Sequence, residues 1–135
     1  MRNLIILGAV VAVGLGYWVF TRSASETGAT AGQEAVVMPD LAGELVAGQR
    51  GFAAKCASCH GEALTGVEAK GPPLLHPYYE PGHHGDEAFV RAVRQGARAH
   101  HWSFGDMAPV EGLTDADIAA ITGYVRAVQK ANGIF

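Results

Sequence analysis

The sequence predicts a small all-α domain that follows an apolar N-terminal segment and a linker. Three stretches carry apolar residues at helical spacing, and no stretch alternates with the period of a β-strand. The chain has 135 residues, of which 49% are hydrophobic and 17% charged, and this balance excludes both a disordered chain and a polytopic membrane protein. Its formal net charge of −3 argues against nucleic acid as a partner, because surfaces that bind nucleic acid are usually basic.

The N-terminal part of the chain has two different compositions. Residues 4–20 carry no charge, and Arg2 and Arg22 flank them. This run is longer than the apolar core of most cleaved signals and slightly shorter than most membrane spans, while two aromatic residues near its end favour a retained anchor. The following residues are rich in Ser, Thr, Ala and Gly, which is typical of flexible linkers. We therefore expect a membrane anchor or signal sequence with a hydrophobic helix at 1–22, a linker at 23–39 and a folded domain at 40–135.

The first two helices of the domain are predicted from their apolar faces and end signals. Asp86 is expected to be the N-cap of the second helix, and Gly96 is expected to stop it. Residues 61–85 form a long loop between the two helices and are dense in Gly and Pro. The first helix is predicted from residues that share one face: Leu41, Leu45, Gly48, Phe52 and Cys56.

The third helix has the clearest signals. Thr114 is expected to cap its N-terminus, and Asp117 completes a variant capping box. Asn132 and Gly133 are expected to end it. Its buried stripe is predicted to consist of four apolar residues: Ile118, Ile121, Val125 and Val128.

Cys56, Cys59 and His60 form a C-x-x-C-H motif, which is the attachment sequence of c-type haem. In this chemistry the two thiols form thioethers with the haem vinyl groups, and the histidine binds the iron. A thioredoxin-type redox pair expects a βαβ context, and a zinc site needs further cysteines or a spaced histidine pair. The loop at 61–85 is unusually long for so small a domain unless it wraps a large apolar group. We therefore predict one covalent haem c.

The second axial ligand of the iron is predicted by elimination. The chain has three methionines, and Met1 and Met38 lie outside the interior of the domain. Met107 lies in a loop between the second and third helices that is bounded by Gly105 and Pro109. Core filling is the alternative role of a lone methionine. We predict that His60 and Met107 are the two iron ligands, a pair that raises the reduction potential relative to two imidazoles.

The domain resembles class I cytochrome c, a family of small monohaem electron carriers, over about residues 41–133. The family has a glycine, an aromatic residue four positions later and the first cysteine after four more, which are Gly48, Phe52 and Cys56 here. The resemblance implies that the first and last helices cross closely at this glycine. It also implies that Tyr124 covers the crossing.

The resemblance extends to the loop that follows the haem motif. The family's Gly-Pro-x-Leu is matched by Gly71, Pro72, Pro73 and Leu74. By resemblance, the carbonyl oxygen of Pro72 accepts a hydrogen bond from Nδ1–H of the haem-ligating histidine, which fixes its tautomer. The family often has proline directly after the ligand methionine, whereas this chain has Ala108 there.

Function follows from the coordination. If both axial positions are filled, the iron has no open site for O₂, peroxide or a substrate. We therefore expect an electron carrier rather than an enzyme, either free or as a subunit of an oxidoreductase complex, with redox proteins as partners and no nucleic acid. Haem c is attached outside the cytoplasm, so we expect the domain on the periplasmic side of a bacterial inner membrane, tethered by residues 4–20 or soluble after cleavage. A haem peroxidase-like enzyme, in which Met107 dissociates, is one alternative.

The remaining histidines lead to a second alternative, the haem domain of a metal-handling, copper-related system. His83 and His84 precede the second helix, and His100 and His101 follow it, so a shared site requires the chain to fold back after Gly96. We expect surface roles or contacts with haem propionates, and only weak metal binding. The histidines concerned are His76, His83, His84, His100 and His101.

Arg91, Arg94 and Arg98 are predicted to share one face of the second helix, because they lie at i, i+3 and i+7. The simpler interpretation is a solvated helix face. The functional interpretation is an electrostatic guide for an acidic partner, or charge balance for the haem propionates.

Overall fold

The computed structural model of the protein describes residues 35–135. Within this range there is no named β-strand, and the only bridges are two isolated ones, Val67 with Gly71 and Ala97 with Met107. The predicted all-α fold is confirmed. The helices are α1 (Glu44–Lys55), α2 (Ala57–His60), α3 (Asp86–Gln95) and α4 (Asp115–Ala131), with a short 3-10 helix at Pro77–Tyr79.

The N-terminal hydrophobic helix expected at 1–22 and most of the linker expected at 23–39 lie outside the described residues. No helix in the described range has the length and apolar character needed to cross a bilayer. The last part of the predicted linker contacts the domain, because Asn132 Oδ1 accepts from the backbone N–H of Val37 at 2.9 Å and its Nδ2 donates to the Val37 carbonyl at 2.8 Å.

Helix α4 begins and ends where the sequence predicts. The side chain of Thr114 accepts from the backbone N–H of Asp117 at 3.2 Å, and the Asp117 carboxylate accepts from the backbone N–H of Thr114 at 2.8 Å. This reciprocal capping box satisfies two backbone donors that the first turn of a helix leaves free. Gly133, at φ 78°, follows the last turn. The predicted stripe of α4 is buried: Ile118, Ile121, Val125 and Val128.

Two helix boundaries differ from the sequence prediction. Helix α1 starts at Glu44, so Leu41 packs on the core from the segment before it. The helix is interrupted at Cys56, where φ is −121°, and a single turn, α2, then carries the chain to His60.

The start of α3 also differs from the prediction. The predicted N-cap Asp86 is wrong: the N-cap of α3 is Gly85. The carboxylate of Asp86 instead accepts from Nε of Arg126 at 2.8 Å, a partner 40 positions away that no local pattern reveals.

Helices α1 and α4 make the most extensive helix contact of the domain, and they cross at Gly48. A Cβ atom at this position would lie 2.0 Å from the carbonyl oxygen of Ala120 and 2.9 Å from Cβ of Tyr124. Only glycine permits this approach. Beside the crossing, the rings of Phe52 and Tyr124 lie 5.6 Å apart between centroids, and both are buried. The close crossing that the resemblance implies is therefore present.

Two polar residues of α4 hold the long loop at 61–85. Gln129 is fully buried, and its Nε2 donates to the carbonyls of Leu74 at 2.8 Å and Tyr79 at 3.2 Å. Arg126 donates to the carbonyls of Tyr79 at 2.6 Å and His84 at 2.5 Å. These bonds satisfy loop carbonyls that have no helical or sheet partner and fix the loop against the domain. The sequence analysis missed both residues.

The crossing predicts the effect of a single added methyl group. We expect Gly48→Ala to lower the free energy of unfolding by about 1–3 kcal/mol through overpacking, although alanine is the better helix former. Gly123→Ala is the matched control, because its Cβ would lie 3.8 Å from Leu45 Cδ2, an ordinary contact. Urea unfolding of the two holoproteins measures the difference. Equal stabilities would show that the helices do not require glycine at this position.

The loop anchors predict a second stability effect. Gln129→Met keeps nearly the same side-chain volume but leaves the Leu74 carbonyl without its donor, while Arg126 still donates to Tyr79, so we expect a loss of about 1–3 kcal/mol. Gln95→Met, at an exposed position at the end of α3, is the control and is expected to be neutral. Thermal unfolding followed by circular dichroism distinguishes the two variants. A Gln129→Met protein as stable as the wild type would mean that these hydrogen bonds contribute nothing net.

Candidate functional site

A cavity of about 830 Å³ opens between the C-x-x-C-H motif, helix α3 and the segment that follows α3. Its volume lies within the range of about 300–1,000 Å³ that is typical of cofactor sites. Helix α4 forms part of its wall through Ile118, Ile121 and Val125. The side chains that bear on its chemistry are Cys56, Cys59, His60, Trp102 and Met107.

Cys56 lies at the break between α1 and α2, and Cys59 lies within α2. Cys56 is half-buried and Cys59 is exposed, and both line the cavity. Burial, and then the neighbouring Cys59, raise the pKa of the Cys56 thiol to about 11. A redox-active C-x-x-C pair requires the opposite shift, toward a stable thiolate. The local electrostatics therefore disfavour the thioredoxin-type alternative.

His60 is held in one tautomer by the loop that follows it. Its Nδ1 lies 2.9 Å from the carbonyl oxygen of Pro72. Because a carbonyl can only accept, Nδ1 carries the proton, and the lone pair of Nε2 is free to bind a metal. Burial lowers the pKa of His60, an effect that the bond to Pro72 partly opposes. The imidazole is therefore kept neutral, which is the form that binds metals.

Met107 reaches the same cavity from the segment after α3. Its backbone forms both hydrogen bonds of an isolated bridge with Ala97, at 2.8 and 3.0 Å. Gly96 makes this approach possible, because it adopts φ 76° and a Cβ there would lie 2.3 Å from the Met107 carbonyl oxygen. Of the two methionines in residues 35–135, only Met107 lines the cavity, whereas Met38 is 43% exposed.

The residues around the cavity fit a haem with its propionates. The indole Nε1 of Trp102 is buried and has no hydrogen-bond partner among residues 35–135. A buried donor without an acceptor is costly, and an anionic acceptor such as a propionate would satisfy it. Two thiols, one neutral imidazole, one thioether and this donor form a set that matches the vinyl groups, iron and carboxylates of haem c.

Four of the five further histidines lie together, because the chain folds back after Gly96. Nε2 of His83 lies 3.1 Å from Nε2 of His101, and Nε2 of His84 lies 3.3 Å from Nε2 of His100. His76 lies beside the group, and its Nδ1 accepts from the backbone N–H of Tyr78 at 3.2 Å.

The three arginines do not share a helix face as predicted. Helix α3 ends at Gln95, so Arg98 lies in the segment beyond it. Arg94 pairs with Asp115 at 2.5 Å and donates to the carbonyl of Leu113 at 2.8 Å, so it joins α3 to the start of α4. Arg91 and Arg98 are exposed and border the cavity.

Comparison with known proteins agrees with this site. The chain matches the family model of cytochrome c over residues 45–129, which is more than half of its length. A search of curated proteins gives no match. In this family haem c is covalently bound, and Cys56 and Cys59 have the spacing that the attachment requires. The protein is thus a haem-based electron carrier with redox proteins as partners, and the chain belongs to the cytochrome c family.

Proposed function

We propose that the protein transfers single electrons with His60 and Met107 as the two axial ligands of its haem iron. The observation that carries this proposal is the position of Met107. A backbone bridge holds it at the cavity that also contains the C-x-x-C-H motif, and no other methionine of the described residues lines that cavity. Haem c supplies a one-electron Fe(II)/Fe(III) couple when bound.

Each residue of the site has a separate task in this proposal. Cys56 and Cys59 hold the haem by thioether bonds. The carbonyl of Pro72 keeps the proton on Nδ1 of His60, so that Nε2 is the iron ligand and the hydrogen bond increases its basicity. The soft thioether of Met107 would stabilise Fe(II) and raise the reduction potential. The buried indole of Trp102 would donate to a propionate.

Two filled axial positions support a carrier rather than a haem peroxidase-like enzyme. Peroxide needs a coordination site on the iron, and it would have to displace Met107. The bridge to Ala97 and the tight contact at Gly96 hold the backbone of Met107 in place, which opposes its release. Electron transfer needs only the exposed haem edge and little rearrangement between oxidation states.

We also propose that residues 4–20 tether the carrier to the periplasmic side of a bacterial inner membrane. The support is the uncharged run in the sequence, with Arg2 before it, and the export that haem c attachment requires. A tether would keep the carrier close to membrane oxidoreductases, at a high effective concentration. The alternative, a soluble periplasmic protein after cleavage, gives the same chemistry without the tether.

Met107→Ala tests the ligand assignment. We expect haem to stay covalently bound, the reduction potential to fall, and imidazole or cyanide to bind the iron, because a soft ligand is lost and a position opens. Met38→Ala is the matched control and should behave as the wild type. Visible spectra, redox titration and ligand titration of both variants give the answer. Wild-type spectrum and potential in Met107→Ala would contradict the assignment.

Arg91 and Arg98 are exposed positive charges that border the cavity, where they would attract an acidic redox partner. We expect Arg91→Glu with Arg98→Glu to slow electron transfer to an acidic redox protein and to weaken its dependence on ionic strength. Arg50→Glu with Lys130→Glu, at two exposed positions that do not line the cavity, is the charge-matched control. Stopped-flow rates between low and high salt measure the effect. An unchanged salt dependence in the double variant would exclude guidance by these arginines.

The tether predicts how the protein fractionates. We expect the full chain to sediment with membranes and to resist extraction by high salt, whereas a chain that starts after Arg22 behind a cleavable signal stays soluble with its haem. Immunoblots of the fractions and the N-terminal sequence of the mature protein distinguish the cases. A full chain that is soluble, with a new N-terminus beyond residue 22, would show cleavage.

A further inference from the structure

Four imidazoles from two chain segments meet at the haem cavity, and three of them, His84, His100 and His101, line it. They belong to His83 and His84, in the loop before α3, and to His100 and His101, in the segment after it; we call these four residues the histidine cluster. His83, His84 and His101 each place a ring nitrogen within 4.8 Å of the nitrogens of the other two. Ring stacking extends the group, since the stacked rings of His84 and His100 have centroids 5.5 Å apart.

The hydrogen bonds of His84 and His100 fix where their protons lie. Nδ1 of His84 contacts the carbonyl oxygen of Tyr78, and Nδ1 of His100 lies 2.7 Å from the carbonyl oxygen of Arg98. A carbonyl oxygen only accepts, so both Nδ1 atoms carry protons, and in neutral rings both Nε2 atoms are bare lone pairs. These two lone pairs face each other at 3.3 Å. Such an arrangement is repulsive unless a proton or a metal ion lies between them.

The same proton positions argue against haem propionates as the partners of these rings. A carboxylate only accepts hydrogen bonds, so His84 and His100, whose Nδ1 protons are bonded to backbone carbonyls, would need a second proton on Nε2 to bind a propionate. The buried indole of Trp102 has such a donor, and it has no partner among residues 35–135. Trp102 therefore suits the propionate, and the two histidines suit a metal.

We propose that the histidine cluster binds one divalent transition-metal ion, Zn(II) or Cu(II), through ring nitrogens of His83, His84 and His101, which all lie within 4.8 Å of one another, with His100 beside them. Two nitrogens at the Zn–N length of about 2.0–2.1 Å in a tetrahedral site lie about 3.3 Å from each other. The two Nε2 pairs of the cluster lie 3.1 and 3.3 Å apart. Imidazole is a ligand that both metals accept, and backbone carbonyls on Nδ1 are the usual outer partners of metal-binding histidines.

The surroundings of the cluster favour capture of a metal from solution. His83 is exposed, and no ion pair in residues 35–135 joins a carboxylate to any of the four rings. The backbone at His84 is fixed by Arg126, which donates to its carbonyl.

Calorimetric titration of the oxidised full-length holoprotein with Zn(II), in a buffer that does not bind metals, tests the site. We expect one Zn(II) per chain, and His83→Ala and His101→Ala should each weaken binding roughly tenfold or more. Zn(II) should also raise the melting temperature of the wild type, because the ion joins two chain segments. It should not raise that of a variant that combines His83→Ala and His101→Ala. With Cu(II), electron paramagnetic resonance should show coupling to nitrogen ligands.

His76→Ala is the matched control, because its ring lies beside the cluster but offers no lone pair to a metal. Its Nδ1 accepts from the backbone N–H of Tyr78, so in a neutral ring the proton lies on Nε2. It should bind Zn(II) as the wild type does. The haem spectrum reports whether each variant is folded, and exposed His83 can be replaced without loss of packing, so His83→Ala alone decides the case. No stoichiometric Zn(II) binding by the wild type, or unchanged binding in His83→Ala, would overturn the proposal.

Discussion

The contact on which the rest of the domain depends is the crossing of α1 and α4 at Gly48. The backbones meet so closely that a single Cβ would lie 2.0 Å from a carbonyl oxygen. This contact fixes the direction in which α1 leaves the crossing, and therefore the positions of Cys56 and, one turn later, His60. The capping box at Thr114 fixes where α4 begins. The position of the haem motif therefore depends on how α1 and α4 pack at their crossing.

The interior of the domain combines an apolar core and a cavity, both packed against α4. The core centres on Phe52 and Tyr124, and Phe52 also lines the cavity. The chain cannot fill this cavity by itself, and a domain of this size buries little other surface. Haem completes that interior, which explains why the loop at 61–85 can be long and rich in glycine: Gln129 and Arg126 bind its carbonyls, and the cofactor covers the rest.

Local signals in the sequence predicted the features that depend on local physics. The helix periodicity, the capping box at Thr114, the C-x-x-C-H motif and the single methionine in the loop after α3 could all be read directly. The errors arose where a distant residue decides. Arg126 binds the carboxylate of Asp86, which therefore does not cap α3. Gln129 is fully buried, although its polar side chain is typical of the surface. The histidine pairs lie 16 to 18 positions apart, and only the fold-back after Gly96 brings them together.

The proposed ligation places an imidazole on one side of the iron and the thioether of Met107 on the other. It is tested by the proton NMR spectrum of the reduced, diamagnetic holoprotein with ¹³C-labelled methionine methyl groups. We expect one methyl signal shifted far upfield by the ring current of the haem, while Met38, which is 43% exposed, keeps an ordinary shift and serves as the internal reference. Methionine methyl signals that all lie at ordinary positions would contradict thioether ligation.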